Sequence, residues 1–414
     1  MILEIKRPDH IVPEYSLTGD LLAYRQCKKQ YRYYNGSSLP PSRPVQLWYG
    51  EFIHGVLEQA YRLWRERQFP FPWPCMPVNE DTPLEPPPAG LAENDIRRFA
   101  WPVERALLQQ NKKARSRRAR RSAYLRAEFT VNMLGPHLFP LITAVEQRLI
   151  KTRAMPLRAD EGRRAEHYVL TGIVDVLTNI SLDQQVEGNV LADAIREACP
   201  DLAGDFEVIV DYKSSHRPPV RDENGAVDIT WSLGEWQVKT YAWLRSEQPD
   251  APRVRAGVLV YLNELSPSAN DVQRLRRDIH IRGHLTDVLP TPGSRDETLL
   301  ELTRPGARVE LSREFRLRRA IRVIPIDEAA MEPATAQFDA IVAEIESAIA
   351  REAENGSIRE TWEPTCERWQ TCVACDFKTF CESPKRKPAR DVDRRIPDEL
   401  DLEDDEDEVP PEQL

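Results

Sequence analysis

Apolar positions follow a helical spacing through residues 48–66 (WYGEFIHGVLEQAYRLWRE), where Phe52, Val56, Ala60 and Trp64 share one face. Residues 18–34 (TGDLLAYRQCKKQYRYY) read as an amphipathic helix with Thr18 as its N-cap, and 232–247 (SLGEWQVKTYAWLRSE) as another. The pattern returns to helix over 95–127 and again over the Ala/Glu/Ile-rich stretch 327–354. Strands are predicted at 145–150 and 166–180, where HYVLTGIVDVLTNI has the β-branched content of a buried strand pair. FEVIVDYK (206–213) and RAGVLVYL (255–262) are further apolar strands, and alternation over 308–324 predicts a hairpin or long strand. The proline-rich residues 69–90 read as an irregular loop. Strands and helices mix through the middle of the chain, so the expected class is α/β with a central mixed sheet.

Of the 414 residues, 41% are hydrophobic and 30% charged, which supports a real core and excludes full-length disorder. No run of 18 or more apolar residues is present and the first residues lack a long apolar segment, so neither a membrane span nor a secretory signal is expected. Seven cysteines without an export signal point to a reducing cytoplasm rather than a disulfide framework. The net charge of −10 sits in one place: residues 396–414 carry ten acids and no base, which leaves the rest of the chain balanced. Such a block reads as a solvated, disordered tail.

The most informative stretch is VIVDYKSS. Asp211 and Lys213 are two apart on a strand, so they share a face at its charged end. A carboxylate there suits Mg²⁺ or Mn²⁺, the Tyr212 carbonyl offers another oxygen, and Lys213 suits water activation or a developing phosphorane charge. A surface ion pair is the plainer reading of D-x-K alone. Its company is Asp175 inside an otherwise apolar strand, His54 in an apolar helix, and Gln237 and Tyr241 four apart on one helix face. Near the far end, Cys372-x-x-Cys375-x5-Cys381 has metal-ligand spacing, with Cys27 or Cys366 as the fourth thiol. Spacing alone fits Zn²⁺ as well as an iron–sulfur centre.

The order His54, Asp175, Asp211-x-Lys213, Gln237-x-x-x-Tyr241 resembles the RecB-type nucleases of the PD-(D/E)XK superfamily, over roughly residues 15–262 and again 362–384. The resemblance implies that His54, Asp175 and Asp211 bind the catalytic metal, that Lys213 activates water, and that Gln237 and Tyr241 lie beside the DNA backbone; Glu146 is a further acidic candidate. The segment LLAYRQCKKQYRYY and the C-terminal cysteines are similar to the iron–sulfur branch of that family, which includes CRISPR-adaptation exonucleases and helicase-associated nuclease modules. Lys28 stands where that branch usually has Pro. The branch implies a structural 4Fe–4S cluster on Cys27, Cys372, Cys375 and Cys381. The fold it implies is restriction-endonuclease-like: a mixed sheet flanked by helices, a helical insertion, and an iron–sulfur clasp joining the N- and C-terminal segments. The expected parts are 1–44 with the first cluster Cys, 45–68 the first core helix, and 69–130 the proline loop and basic insertion. They continue with 131–265 the nuclease core, 266–361 a strand/helix region, 362–384 the Cys-rich segment, and 385–414 a basic patch and acidic tail.

Between Lys112 and Arg126 the chain is densely basic. Lys112, Lys113, Arg115, Arg117, Arg118, Arg120 and Arg121 are candidate phosphate contacts of weak sequence preference. Tyr31, Tyr33, Tyr34, Trp48 and Tyr49 are candidate stacking groups for unpaired bases, and Lys385, Arg386 and Lys387 form a second basic patch. The expected function is metal-dependent DNA hydrolysis at single-stranded ends or flaps, in repair, recombination or phage defence. The alternatives are a non-catalytic DNA-binding subunit and a zinc-stapled module. No G-x-x-x-x-G-K-[ST] motif occurs, so unwinding falls to a partner such as a helicase, a CRISPR-adaptation protein or another defence protein.

Overall fold

The computed structural model describes residues 12–35, 45–78, 85–114, 116–158, 162–184, 188–222, 225–280, 285–302, 309–366, 368–373, 375 and 377–384. The chain runs β1 (Glu14–Ser16), a wide turn over Leu17–Leu22, α1 (Ala23–Gln26), α2 (Lys28–Tyr34), α3 (Val45–Arg67), α4 (Ile96–Gln109), α5 (Arg117–Leu138), β2 (Ile142–Ala154), β3 (His167–Ser181), α6 (Val190–Ala198) and β4 (Asp205–Lys213). It continues through α7 (Ile229–Ser246), β5 (Val254–Tyr261), α8 (Leu262–Leu265), α9 (Ala269–His280), α10 (Arg295–Leu302), α11 (Arg313–Ala320), β6 (Ile321–Pro325), α12 (Glu328–Asn355), α13 (Ile358–Thr361) and α14 (Trp369–Val373). Among the described residues no helix is long and apolar enough to cross a membrane.

Six strands form one mixed sheet organised by β3. β2 runs antiparallel along one edge of β3, from Ile142 opposite Thr178 to Ala154 opposite His167. The other edge is shared: β1 pairs parallel with Val169–Thr171, and β4 pairs antiparallel with Val176–Ser181. β4 and β5 are parallel, which requires a crossover that α7 supplies, and β6 returns antiparallel on β5. Alternation along β4 and β5 feeds two cores. Val208, Val210, Val258 and Val260 pack toward α3, α5 and α6; Ile209, Leu259 and Tyr261 pack toward α7 and α12. The result is a three-layer α/β arrangement in which β4 and β5 are buried on both faces and β2 is a largely exposed edge strand.

The pleat changes phase at one rung. Leu170 and Val174 pack on the α7 side, yet Val176 and Ile180, of the same parity, pack on the α3 side, with Leu177 on the α7 side. β2 does the same, with Leu149 on the α7 side and Val145 on the α3 side. Between them the ladder skips one partner pair, at Glu146 and Asp175, and Glu146 has a left-handed φ of 49°. A non-glycine residue in that region is strained by about 1–3 kcal/mol, a cost typical of functional positions.

Several expected elements differ. The single helix over 95–127 is two, because Asn111 turns left-handed after α4 and Ser116 caps α5 by accepting from Ala119 N. The helix over 18–34 is interrupted at Cys27, whose backbone is extended, and Thr18 is not its cap; Ser16 precedes the first turn and bonds Asp20 through both its N–H and its hydroxyl. The hairpin over 308–324 is instead α11, capped by Ser312, followed by the short β6. Its alternation misleads because Arg316 and Arg319 are themselves buried, Arg319 on Glu264 at 2.7 Å. HYVLTGIVDVLTNI is one strand rather than a pair. The basic patch at Lys385–Lys387 and the acidic tail lie outside the described residues.

The N- and C-terminal segments are joined by protein contacts. Arg32 forks onto Glu352 at 2.7 and 2.6 Å, Trp362 donates to the same carboxylate at 2.6 Å, and Lys29 N donates to Glu363 O at 3.1 Å. Tyr24 and Tyr31 close on the Trp362 ring.

The seam between β5 and α7 gives a stability test. A Cβ on Gly257 would lie 1.9 Å from Val238 Cγ1. Gly257→Ala is expected to destabilise the fold by about 1–3 kcal/mol in urea titrations, and Val238→Ala to recover part of that loss in the double variant. Additive losses would show that the two residues do not meet.

Candidate functional site

The ladder between β3 and β4 ends at Val176 and Val210, and the site forms where the strands part. Asp175 follows the last rung on β3. Its Oδ2 accepts the Tyr212 backbone N–H at 2.7 Å, which bridges the gap one residue from Asp211. α3 brings His54, whose Nδ1 is 3.6 Å from Asp175 Oδ1, and the kinked rung of β2 brings Glu146. One ligand atom from each of His54, Glu146 and Asp175 lies within 4.8 Å of the other two. Two carboxylates and an imidazole are a donor set suited to a small divalent cation.

Asp211 is buried, and its carboxylate is held from the α7 side by Gln237 and by its own strand neighbour Lys213. Lys213 Nζ is 2.7 Å from its Oδ2, and Gln237 Nε2 donates to its Oδ1 at 2.8 Å. Lys213 also donates to Gln237 Oε1 at 2.6 Å, so the amide locks acid and ammonium in one triangle. Both bonds fix which end of the amide is which. Tyr241 follows one turn later, its OH 3.5 Å from Gln237 Nε2. The phenol ring lies against Gly172 of β3, where a Cβ would come within 2.7 Å of Cε1. Gly172 is therefore what admits Tyr241 to the site. Asp211 Oδ2 accepts no well-aligned hydrogen bond among the described residues, so an additional electrophile is compatible with it.

The electrostatics express a shortage of positive charge. Burial pushes the Asp175 carboxyl up to about 6; Asp211 adds to the rise, while His54, the Tyr212 N–H and Lys213 oppose it. Glu146, at the mouth of the site, is pushed up to about 7 by the partial burial of its carboxyl, with Asp175 adding to the rise. Tyr212, whose ring meets His54 edge-on at 5.5 Å, has its phenol held above the usual range by burial.

A polar truss holds α3 to the strand ends. Arg126 donates to Tyr49 OH at 2.8 Å, Tyr49 OH bonds Asn263 Oδ1 at 3.3 Å, and Asn263 donates to Ser214 O at 3.3 Å. Tyr49 therefore serves the truss, and the other proposed stacking aromatics also have internal partners. Tyr31 packs on Tyr24 and Trp362, Tyr33 and Tyr34 on Phe377, and Trp48 on Phe52. The basic run divides likewise. Lys112 is buried on Glu51, and Arg120 pairs with Glu104 at 2.8 Å. Lys113, Arg117, Arg118 and Arg121 are exposed, and Arg115 lies outside the described residues.

Five of the seven cysteines gather in one place. Cys27, Cys366, Cys372, Cys375 and Cys381 line one pocket together with Lys29, Tyr33 and Phe377. The extended backbone at Cys27 separates α1 from α2 at this point. Lys29 is buried and pairs with Glu382, which sets an ammonium beside the thiols. Cys75 and Cys199 are free and line no part of this pocket.

A family model described as the PD-(D/E)XK nuclease superfamily matches residues 198–382. That span holds Asp211, Lys213, Gln237, Tyr241 and four of the pocket cysteines; His54, Glu146, Asp175 and Cys27 precede it. No curated protein matches the chain. Among solved structures, one titled "Crystal structure of SSO0001" aligns with 88% of this chain and 95% of that chain at 13% identity, with a TM-score of 0.23.

The raised carboxyls predict how pH acts. Unfolded carboxyls titrate near about 4, so the metal-free native state holds extra protons up to about pH 7, and this site lowers stability as pH rises through that window. A cation must displace those protons. The Mn²⁺-induced rise in melting temperature should therefore be larger at about pH 8 than at about pH 5.5. Glu146→Gln should flatten that difference; a shift independent of pH would contradict the assignment.

Proposed function

We propose that the chain is a divalent-metal-dependent DNA nuclease of PD-(D/E)XK type that hydrolyses phosphodiester bonds, acting as an exonuclease on single-stranded ends or flaps. The observation that carries this reading is the meeting of His54, Glu146 and Asp175 one backbone step from the Asp211–Lys213–Gln237 triangle. A bound Mg²⁺ or Mn²⁺ ion supplies a lowered water pKa and neutralises charge on the transferring phosphoryl group. His54, Asp175 and Asp211 are its proposed ligands, with the Tyr212 carbonyl and Glu146 as further oxygen donors.

The protein's own part is positioning. Gln237 holds Lys213 on the site, where the ammonium orients the attacking water and offsets negative charge as it grows on the phosphate. Tyr241, seated through Gly172, borders the same space for the substrate backbone. Lys113, Arg117, Arg118 and Arg121 offer exposed charge for phosphates with little sequence selectivity. Lys112 and Arg120, held by acids, and Arg115 complete the proposed set.

The cysteine pocket is read as a structural 4Fe–4S site on Cys27, Cys372, Cys375 and Cys381, with Zn²⁺ as the alternative. Its thiols come from both ends of the chain, so a centre there adds to the Arg32–Glu352–Trp362 contacts already joining them. A cytoplasmic setting and a helicase, CRISPR-adaptation or other defence partner that delivers free ends belong to the same reading.

Lys213→Ala tests the chemistry. Cleavage of labelled DNA should fall at least about a hundredfold while DNA affinity changes little. Normal cleavage by the variant would place the chemistry elsewhere. DNA binding without cleavage by the wild-type protein would support the non-catalytic subunit instead.

A further inference from the structure

The cysteine pocket contains one thiol more than a four-thiolate centre employs. Cys27, Cys366 and Cys372 are buried in mutual contact, while Cys375 and Cys381 are half-exposed. Cys366 is fixed beside its neighbours by its own turn. Its Sγ donates to Arg368 O at 3.2 Å, and the same carbonyl accepts the Cys372 backbone N–H at 3.3 Å. One peptide oxygen thus holds the thiol of Cys366 and the backbone of Cys372 together. The next turn follows directly, with Cys375 N donating to Cys372 O at 3.1 Å. Cys366 therefore faces the same space as the four proposed ligands without belonging to the x2, x5 spacing that singles out Cys372, Cys375 and Cys381.

We propose that Cys366 is a reserve ligand of this pocket, which takes over when the thiolate of Cys375 or Cys381 is lost. The inference rests on the reading of Cys27, Cys372, Cys375 and Cys381 as a four-thiolate centre. Oxidation of cysteine follows exposure, so the two solvent-side sulfurs are lost before the buried three. The replacement is a ligand exchange. The S–H bond of Cys366 breaks, its proton passes to solvent, and its sulfur binds at the vacated position; no electron is transferred and no oxidant is consumed. The contact given up is the hydrogen bond to Arg368 O.

The test compares the full-length wild type with Cys366→Ser, Cys381→Ser and the double variant, each reconstituted anaerobically with ferrous iron and sulfide. Iron and acid-labile sulfide per chain, the visible absorption band and zinc content are read, with circular dichroism as the folding control. The wild type and Cys366→Ser should load equally, Cys381→Ser should keep at least half of its iron, and the double variant should fall to background. Cys381→Ser as empty as the double variant would overturn the proposal. So would an empty Cys366→Ser, which would make that thiol an obligatory ligand. Should the Cys381→Ser chain fail to fold, Cys375→Ser with and without Cys366→Ser carries the same comparison. A wild type that takes up no metal overturns the four-thiolate reading and this inference together; a loaded wild type with equal single and double variants overturns this inference alone. If the wild type takes zinc instead, the same four-way comparison is read on zinc.

Discussion

Crowded negative charge where β3 parts from β4 is the constraint from which the site's geometry follows. Asp175 neighbours both Asp211 and Glu146 there, with one ammonium from Lys213 and the imidazole of His54 close by. Like charges that close raise one another's proton affinity, and a protein retains such an arrangement only with compensation. Here part of the compensation is internal: the Tyr212 N–H serves Asp175, and Gln237 with Lys213 serves Asp211. The part left over is what suits a cation.

The sheet makes this crowding possible. A regular pleat would carry Glu146 and Asp175 in phase with their neighbours along β2 and β3. The left-handed turn at Glu146 breaks that phase in both strands, so the rung between the two cores can meet α3. α3 is held in reach by the Arg126–Tyr49–Asn263–Ser214 truss, and α7 by the close seats at Gly172 and Gly257. Backbone strain at β2, a bulky residue excluded at β3 and a tight crossover helix are thus three parts of one device.

The long apolar elements were legible in the sequence because burial imposes a period. β4, β5, α7 and α12 fall within a few residues of where their hydrophobic pattern places them. The sequence also ordered His54, Asp175, Asp211, Lys213, Gln237 and Tyr241, and the structure brings His54 to Asp175 and Lys213 and Gln237 to Asp211. It did not show that these are two clusters joined by a backbone N–H, since hydrogen-bond partners 26 and 37 residues apart leave no local signal. Glu146 carried only a weak cue, an acid placed before the first strand, because its importance comes from a backbone angle. α11 was misread since buried arginines imitate an alternating surface. The basic run looked uniformly exposed although Lys112 and Arg120 are tied to acids from α3 and α4.

The central question is whether this convergence of side chains cuts DNA with a divalent ion. The direct measurement is incubation of anaerobically purified full-length protein with end-labelled single- and double-stranded DNA in Mg²⁺, in Mn²⁺ and in EDTA. Strands with free single-stranded ends should be shortened in Mg²⁺ or Mn²⁺ and stay intact in EDTA. Intact DNA under every metal condition with folded protein, or cleavage that persists in EDTA, would contradict the metal-dependent nuclease reading.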